Sequence, residues 1–170
     1  MRFEGRTWKF GDHINTDLIL PGNVMLMPYD DQPKHVFAAN RPGWAAQVRQ
    51  GDILVCGHNL GTGSGRPAAR SLKALGIACV VAESINGLFF RNCVNYGLAA
   101  MECPGVAAVF EEGDVARVEF EEFTVRNARS NAVLRGKRFP EMLLSTMRAG
   151  GIYKLMEARG MLEEPNRETA

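Results

Sequence analysis

The chain has 170 residues, of which 46% are hydrophobic and 23% charged, and a formal net charge of +1 at pH 7. This is the make-up of a globular chain of one-domain size that buries a core without staples. Near-neutral charge leaves no electrostatic footprint for nucleic acid or an anionic membrane, and no apolar run approaches a membrane span.

The start, MRFEGRTWKFGD, has no apolar signal core, so a cytoplasmic protein is expected. The four cysteines, Cys56, Cys79, Cys93 and Cys103, form no C-x-x-C pair, and no histidine stands at zinc-finger spacing from them. Cys56 in DILVCG and Cys79 in GIACVVAES lie in apolar runs and read as buried free thiols, which suits a reducing compartment. No metal and no iron–sulfur cluster is expected on this chain.

RTWKF alternates polar and apolar residues and predicts a strand. GDHINTDLILPGN is rich in turn formers around Leu18, Ile19 and Leu20. In the next stretch, broken by Pro28, Pro33 and Pro42, KHVFAA and GWAAQVRQ each suggest a short helix. DILVCG predicts a buried strand. RPAARSLKALG predicts a helix with Pro67 near its first turn and Gly76 at its end. IACVVAES is a second buried strand. Ser84 is placed to cap the helix INGLFFRNCVNYG, which stops at Gly97, and LAAMEC is a third strand stopped by Pro104. Strand–helix–strand–helix–strand implies a parallel sheet with right-handed crossovers.

Beyond Gly105 the pattern changes. DVARVEFEE, FTVRNARS and AVLRGKRF alternate over short lengths and predict antiparallel strands. PEMLLSTMRAGGIYKLMEARGML reads as two helices joined at Gly150 and Gly151, and 163–170 as a frayed polar tail. The expected architecture is one α/β domain over 1–170: a β/β/α layered body with a parallel βαβαβ core, antiparallel strands, C-terminal helices and an N-terminal arm.

The segment GHNLGTGSGRPAAR joins a predicted strand to a predicted helix, where ligands of parallel sheets bind. Gly61, Gly63 and Gly65 permit positive φ and close backbone approach, and a helix N-terminus attracts anions. Arg66 offers a planar fork that matches a carboxylate. No Lys-Ser/Thr follows as in a phosphate loop, the spacing G-x-G-x-x-G fails, and the glycines around Ser64 do not form a nucleophile elbow. Two readings remain: an anion cradle with Ser64 and Arg66 aimed into it, or a flexible turn with Ser64 as helix cap.

GDHINTDLILPG, then QGDILVCGHNLGTGSGRPAARSLKALGIACVVAESINGLFFRNCVNYGLAAMECPGV, then AGGIYKLM, taken together from about Phe10 to Leu162, resemble the small subunit of 3-isopropylmalate dehydratase. That family corresponds to the swivelling C-terminal domain of aconitase. The resemblance implies an aconitase-type swivelling fold and half of a two-chain hydro-lyase of leucine biosynthesis. It interconverts 2-isopropylmalate and 3-isopropylmalate through isopropylmaleate. It also implies a heterodimer with a large subunit that carries a 4Fe–4S cluster, and a small dicarboxylic hydroxy acid as substrate. Ser64 then matches the catalytic base and Arg66 the arginine that binds substrate carboxylate. Asp17 matches a site aspartate, and Gly63 and Gly65 lie in the substrate cradle.

The family's loop usually reads close to G-C-G-S-S-R-E-H-A; here Thr62, Gly65, Pro67 and Ala68 depart from it. The departures admit a paralogue acting on another 2-hydroxy diacid, of citramalate or dimethylmalate type, or a non-catalytic carboxylate-binding module. The apolar run Val24, Met25, Leu26 and Met27 follows ILPG, where the family touches the substrate's variable group. Met25 and Leu26 suit an alkyl group rather than a third carboxylate, although methionines also pack under loops. Asp17 is alternatively a turn cap, a task Asn15 and Thr16 would also serve. His13 and His58 read as satisfied structural histidines and His35 as a helix-surface residue. Arg91 reads as an ion-pair partner, Phe89, Phe90 and Tyr96 as helix packing, and EFEEF as a solvated strand face.

Overall fold

In the computed structural model, which describes residues 1–162, one strand does two jobs. β1 (Arg2–Phe10) pairs antiparallel with β5 (Val115–Glu119) through its first half and parallel with β2 (Ile53–Cys56) through its second. β3 (Cys79–Ala82) and β4 (Ala99–Glu102) extend the parallel side; β6 (Thr124–Asn127) and β7 (Val133–Arg135) extend the antiparallel side. The resulting seven-stranded sheet runs β4-β3-β2-β1-β5-β6-β7. The expected parallel core and antiparallel strands are both present. The expected N-terminal arm is not: residues 2–10 form the central strand, because alternation extends back from RTWKF through Phe3 and both edges of β1 find partners. The predicted tail, 163–170, lies outside the described residues.

The parallel strands are buried on both faces, which explains their unbroken apolar character. Leu54, Cys56, Val80, Ala82 and Ala100 point to one core, Ile53, Val55, Cys79, Val81 and Met101 to the other. α2 (Ala68–Leu75) and α3 (Gly87–Tyr96) cover the first face. The second face shares its core with Ala116, Val118, Phe120 and Val125 of the antiparallel half, and with α4 (Val106–Val109) and Leu144 of α5 (Glu141–Arg148). α6 (Ile152–Ala158) follows at Gly150-Gly151 as predicted.

Three local expectations give way. Ser84 does not cap α3; Asn86 does, accepting from the Leu88 N–H at 3.0 Å, and the Ser84 hydroxyl instead accepts from the Asn59 N–H. KHVFAA and GWAAQVRQ form only 3-10 turns, Gln32–His35 and Ala45–Gln47. Phe37 adopts φ +58, which ends any helix there, and is fully buried with its ring stacked on Phe10 at 4.0 Å. Edge-to-face contacts of Trp44 with Phe10, Phe37 and Trp8 complete this aromatic knot, and its burial outweighs the backbone strain. The short helix α4, finally, has no signal that sequence reading had used.

The four thiols are buried and free. Burial alone pushes Cys56 up to about 12 and raises Cys79; burial chiefly, with the Glu83 charge, takes Cys103 up to about 11. Among the described residues no three His, Cys, Asp or Glu side chains group to hold a metal ion, and no helix is long and apolar enough to cross a membrane. Arg91, read as a partner in a buried or interfacial ion pair, is exposed and pairs with no acidic side chain among the described residues. In EFEEF, Phe120 and Phe123 are buried and only the glutamates are solvated.

Asp52, 4% exposed, locks β1 to the turn before β2. It accepts from Trp8 Nε1 at 2.7 Å, Arg6 Nη2 at 2.6 Å and the Arg49 N–H at 2.9 Å. Burial opposes its ionisation, yet Arg6, the Arg49 N–H and Trp8 together outweigh burial and hold the carboxyl below its usual range. Asp52→Asn is therefore expected to cost about 2 kcal/mol at pH 7 in urea unfolding. A depressed folded value stabilises above the unfolded one, so the gap between wild type and variant is full at pH 7. It closes as pH falls below about 4, through the folded value.

Candidate active site

The site begins as a continuation of strand pairing. β1 and β2 end level, Phe10 beside Cys56, and their chains stay in register beyond the sheet. The Gly57 N–H donates to the Phe10 carbonyl at 3.1 Å, His13 N–H to His58 at 2.7 Å, Gly61 N–H to Ile14 at 2.6 Å, and Thr16 N–H to Thr62 at 2.8 Å. The last rung is a side chain: the Ser64 N–H donates to Thr16 Oγ1 at 3.1 Å. The Asn15–Asp17 turn is thereby zipped to the glycine-rich loop.

Each residue of the INTD stretch then has a separate task. Asn15 Oδ1 accepts from the Leu18 N–H at 2.9 Å and caps α1 (Thr16–Ile19). Thr16, 1% exposed, holds the Ser64 amide. Asp17 is left free to pair with Arg66, Oδ1 to Nη2 at 2.6 Å. Arg66 is fully engaged: Nη1 donates to the Leu20 carbonyl at 2.9 Å, and Nε donates to Ser64 Oγ at 2.9 Å. Asn92 of α3 donates to the Arg66 carbonyl at 3.3 Å.

Asp17, Ser64 and Arg66, singled out in the sequence, thus meet at one place. Ser64 is no helix cap: Pro67 precedes α2 and no side chain caps it. Ser64 and its neighbours Gly63 and Gly65 are exposed, whereas Ala68 and Ala69 are fully buried. What faces solvent here is the loop rather than the first turn of α2. Gly61 (φ +80) and Gly63 (φ +112) adopt the left-handed backbone that was expected; Gly65 does not. A Cβ on Gly61 would overlap the Phe89 ring, and one on Gly63 would press on Thr16 Oγ1.

The segment after the turn also reaches the site. A Cβ on Gly22 would stand 3.6 Å from Arg66 Nη2, so the 3-10 turn Gly22–Leu26 starts at the guanidinium. Its apolar residues divide: Val24 is buried, Met27 packs on the core, and Met25 and Leu26 are 38% and 91% exposed. His13 and His58 both lie exposed beside the zipped strands; His13 Nδ1 is 3.3 Å from Asn59 Nδ2. Sequence reasoning passed over Thr16, the Leu20 carbonyl and Asn92. A threonine buried beside a glycine-rich loop was the available signal, and it needed the β1–β2 register to be seen.

Chemically, the arrangement polarises a serine hydroxyl. A guanidinium N–H pointing at Oγ favours its ionised form. The serine sits on an open ledge rather than in an enclosed cavity. A half-open cleft of about 260 Å3 between Ile85, Phe90, Lys137 and Phe139 lies beside the start of α3 and contains none of Asp17, Ser64 and Arg66.

Fold and ledge define a βαβ-based domain with an exposed serine–arginine pair on the loop after its second strand. The model of the aconitase C-terminal domain family matches residues 16–105. The chain is similar to the 3-isopropylmalate dehydratase small subunit 1 of Methanopyrus kandleri, 40% identical over 92% of this chain and 93% of that one. It is 36% identical to the isopropylmalate/citramalate isomerase small subunit of Methanocaldococcus jannaschii, over 92% and 94% of the two chains. A solved 3-isopropylmalate dehydratase structure from Methanocaldococcus jannaschii superposes with a TM-score of 0.88 at 27% identity, covering 95% of this chain and 96% of that one. The chain belongs to the aconitase C-terminal domain family and, within it, to the small subunits of 3-isopropylmalate dehydratase type.

The Thr16 clamp is open to direct test. Thr16→Val removes the acceptor of the Ser64 N–H and is expected to speed hydrogen exchange at that amide about fivefold, the equivalent of about 1 kcal/mol of local opening. Thr16→Ser keeps the oxygen and the protection.

Proposed function

We propose that this chain is the small subunit of a two-chain hydro-lyase that interconverts 2-isopropylmalate and 3-isopropylmalate by dehydration and rehydration, in leucine biosynthesis. The carrying observation is the contact of Arg66 Nε with Ser64 Oγ on an exposed ledge. Ser64 is the base. Its oxygen takes the proton from the carbon next to a substrate carboxylate, the hydroxyl departs from the neighbouring carbon, and the unsaturated diacid results. Return of water at the other carbon, with the proton given back from Ser64, yields the isomer. Arg66 supports the negative charge on Oγ, and its fork binds the substrate carboxylate.

In the free chain Asp17 occupies that fork. Asp17 is 62% exposed, so an incoming carboxylate displaces it from Nη2 at little cost while the Leu20 and Ser64 contacts stay. Gly63 and Gly65 leave the ledge unobstructed, and Met25 and Leu26, exposed on the 3-10 turn that starts beside Arg66, suit an alkyl group of the substrate.

A base of this kind works when water is excluded, and an open ledge does not exclude it. A large subunit closing over Ser64 completes the site. The scattered, buried thiols of this chain do not suit a cluster, so the 4Fe–4S cluster belongs on the large subunit, where it supplies the Lewis acid for the substrate hydroxyl. The reduced thiols are in keeping with a cytoplasmic enzyme.

The test is anaerobic reconstitution with the cluster-bearing large chain, following the unsaturated diacid by its ultraviolet absorbance. 3-Isopropylmalate, citramalate, dimethylmalate and citrate are offered in parallel. Turnover of isopropylmalate is expected, with none by this chain alone. Ser64→Ala is expected to lower kcat about a thousandfold while the two chains still co-elute. Absence of turnover with every diacid, in a formed complex with intact cluster, overturns the reading in favour of a carboxylate-binding module.

A further inference from the structure

Four glycines stand between residues 57 and 65, and the fold accounts for three of them. A side chain on Gly57 would collide with Asp12, one on Gly61 with Phe89 and one on Gly63 with Thr16, and the last two also hold positive φ. Gly65 is different. Its φ is outside the left-handed region, and an added Cβ would meet only the two Leu88 methyls, at 3.9 and 4.0 Å, an ordinary van der Waals distance. Neither backbone nor packing demands glycine there.

What the missing side chain leaves is space. Gly65 is exposed and lies between Ser64 and Arg66; Leu88, on the first turn of α3, is partly exposed and forms the floor below it. The Leu88 backbone is fixed by Asn86, and α3 is tied to the loop through Asn92 and the Arg66 carbonyl, so the floor cannot drift from the ledge. On the side facing α3 the gap is bordered by the Leu88 methyls, which are apolar.

We infer that Gly65 and Leu88 form an alkyl-selecting notch beside Arg66, which receives the apolar branch of a 2-hydroxy diacid and sets how large that branch can be. This inference rests on the hydro-lyase reading. It adds an apolar residue on α3 to Met25 and Leu26, the alkyl-contacting candidates of the segment after ILPG. Because the branch sits against Leu88 while a carboxylate is held on Arg66, discrimination comes from filling a space rather than from a polar contact. One methylene in such a space is worth roughly 10- to 200-fold in kcat/KM.

The experiment uses the reconstituted two-chain enzyme with two alkylmalates, one bearing an isopropyl and one a methyl branch. Gly65→Ala is expected to lower kcat/KM for the isopropyl substrate about tenfold more than for the methyl substrate. Leu88→Ala in the Gly65→Ala background deepens the floor and is expected to recover most of the isopropyl loss. Equal losses for both substrates would mean that the substitution merely displaces Ser64, and an unchanged ratio would mean that no branch enters the notch; either overturns the inference while leaving the hydro-lyase reading standing. If the unaltered enzyme turns over neither substrate, that reading falls and the notch with it.

Discussion

The site depends on one register. β1 and β2 run parallel with Phe10 beside Cys56, and the pairing does not stop where the sheet does. Each further rung between residues 11–16 and 57–64 satisfies backbone groups that would otherwise face a crowded sheet end. Advancing together, the two segments bring Thr16 to Ser64 and Asp17 to Arg66, although 48 residues separate Thr16 from Ser64 along the chain. A slip of one residue would place Asp17, not Thr16, under the Ser64 amide and leave the guanidinium without its carboxylate. The double pairing of β1 resists such a slip, because the β5 edge fixes the same strand from the other side.

This rigidity has an electrostatic use. Arg66 in the free chain has each guanidinium nitrogen engaged, two of them by groups that need not move when a carboxylate arrives: the Leu20 carbonyl and Ser64 Oγ. The Asp17 and Ser64 contacts both lie toward solvent. The guanidinium is therefore held in one orientation in the free chain. Preorganised donors of this kind stabilise developing charge most strongly where water is absent. The exposure of the ledge accords with a chain whose relatives are named as small subunits.

The fold was legible wherever periodicity carried it. The buried strands DILVCG and IACVVAES, the helices bounded by Gly76 and Gly97, and the alternating strands after Gly105 all lie where their patterns place them. The failures are tertiary. Nothing local in RFEGRTWKF distinguishes an arm from a central strand, since that depends on two partners more than 40 residues away. Phe37 breaks a plausible helix because its burial against Phe10 and Trp44 outweighs a positive φ. In the site, Ser64, Arg66 and Asp17 were legible from the resemblance of their motifs, but the division of tasks among Asn15, Thr16 and Asp17 was not. Any of the three can cap a turn, and only the zipped backbone shows that Asn15 does so.

The four departures from the family's usual loop separate on the same geometry. Thr62 acts through its carbonyl, which accepts from the Thr16 N–H, so its side chain is not what holds the loop. Pro67 starts α2, where a missing N–H costs nothing. Ala68 is fully buried against the first core, and a larger polar side chain there would need different neighbours rather than a different ligand. These three positions answer to packing and backbone. Gly65 alone faces the ledge, without strain and without a close neighbour other than Leu88. Of the changes that set this chain's loop apart, it is therefore the one that neither backbone nor packing explains.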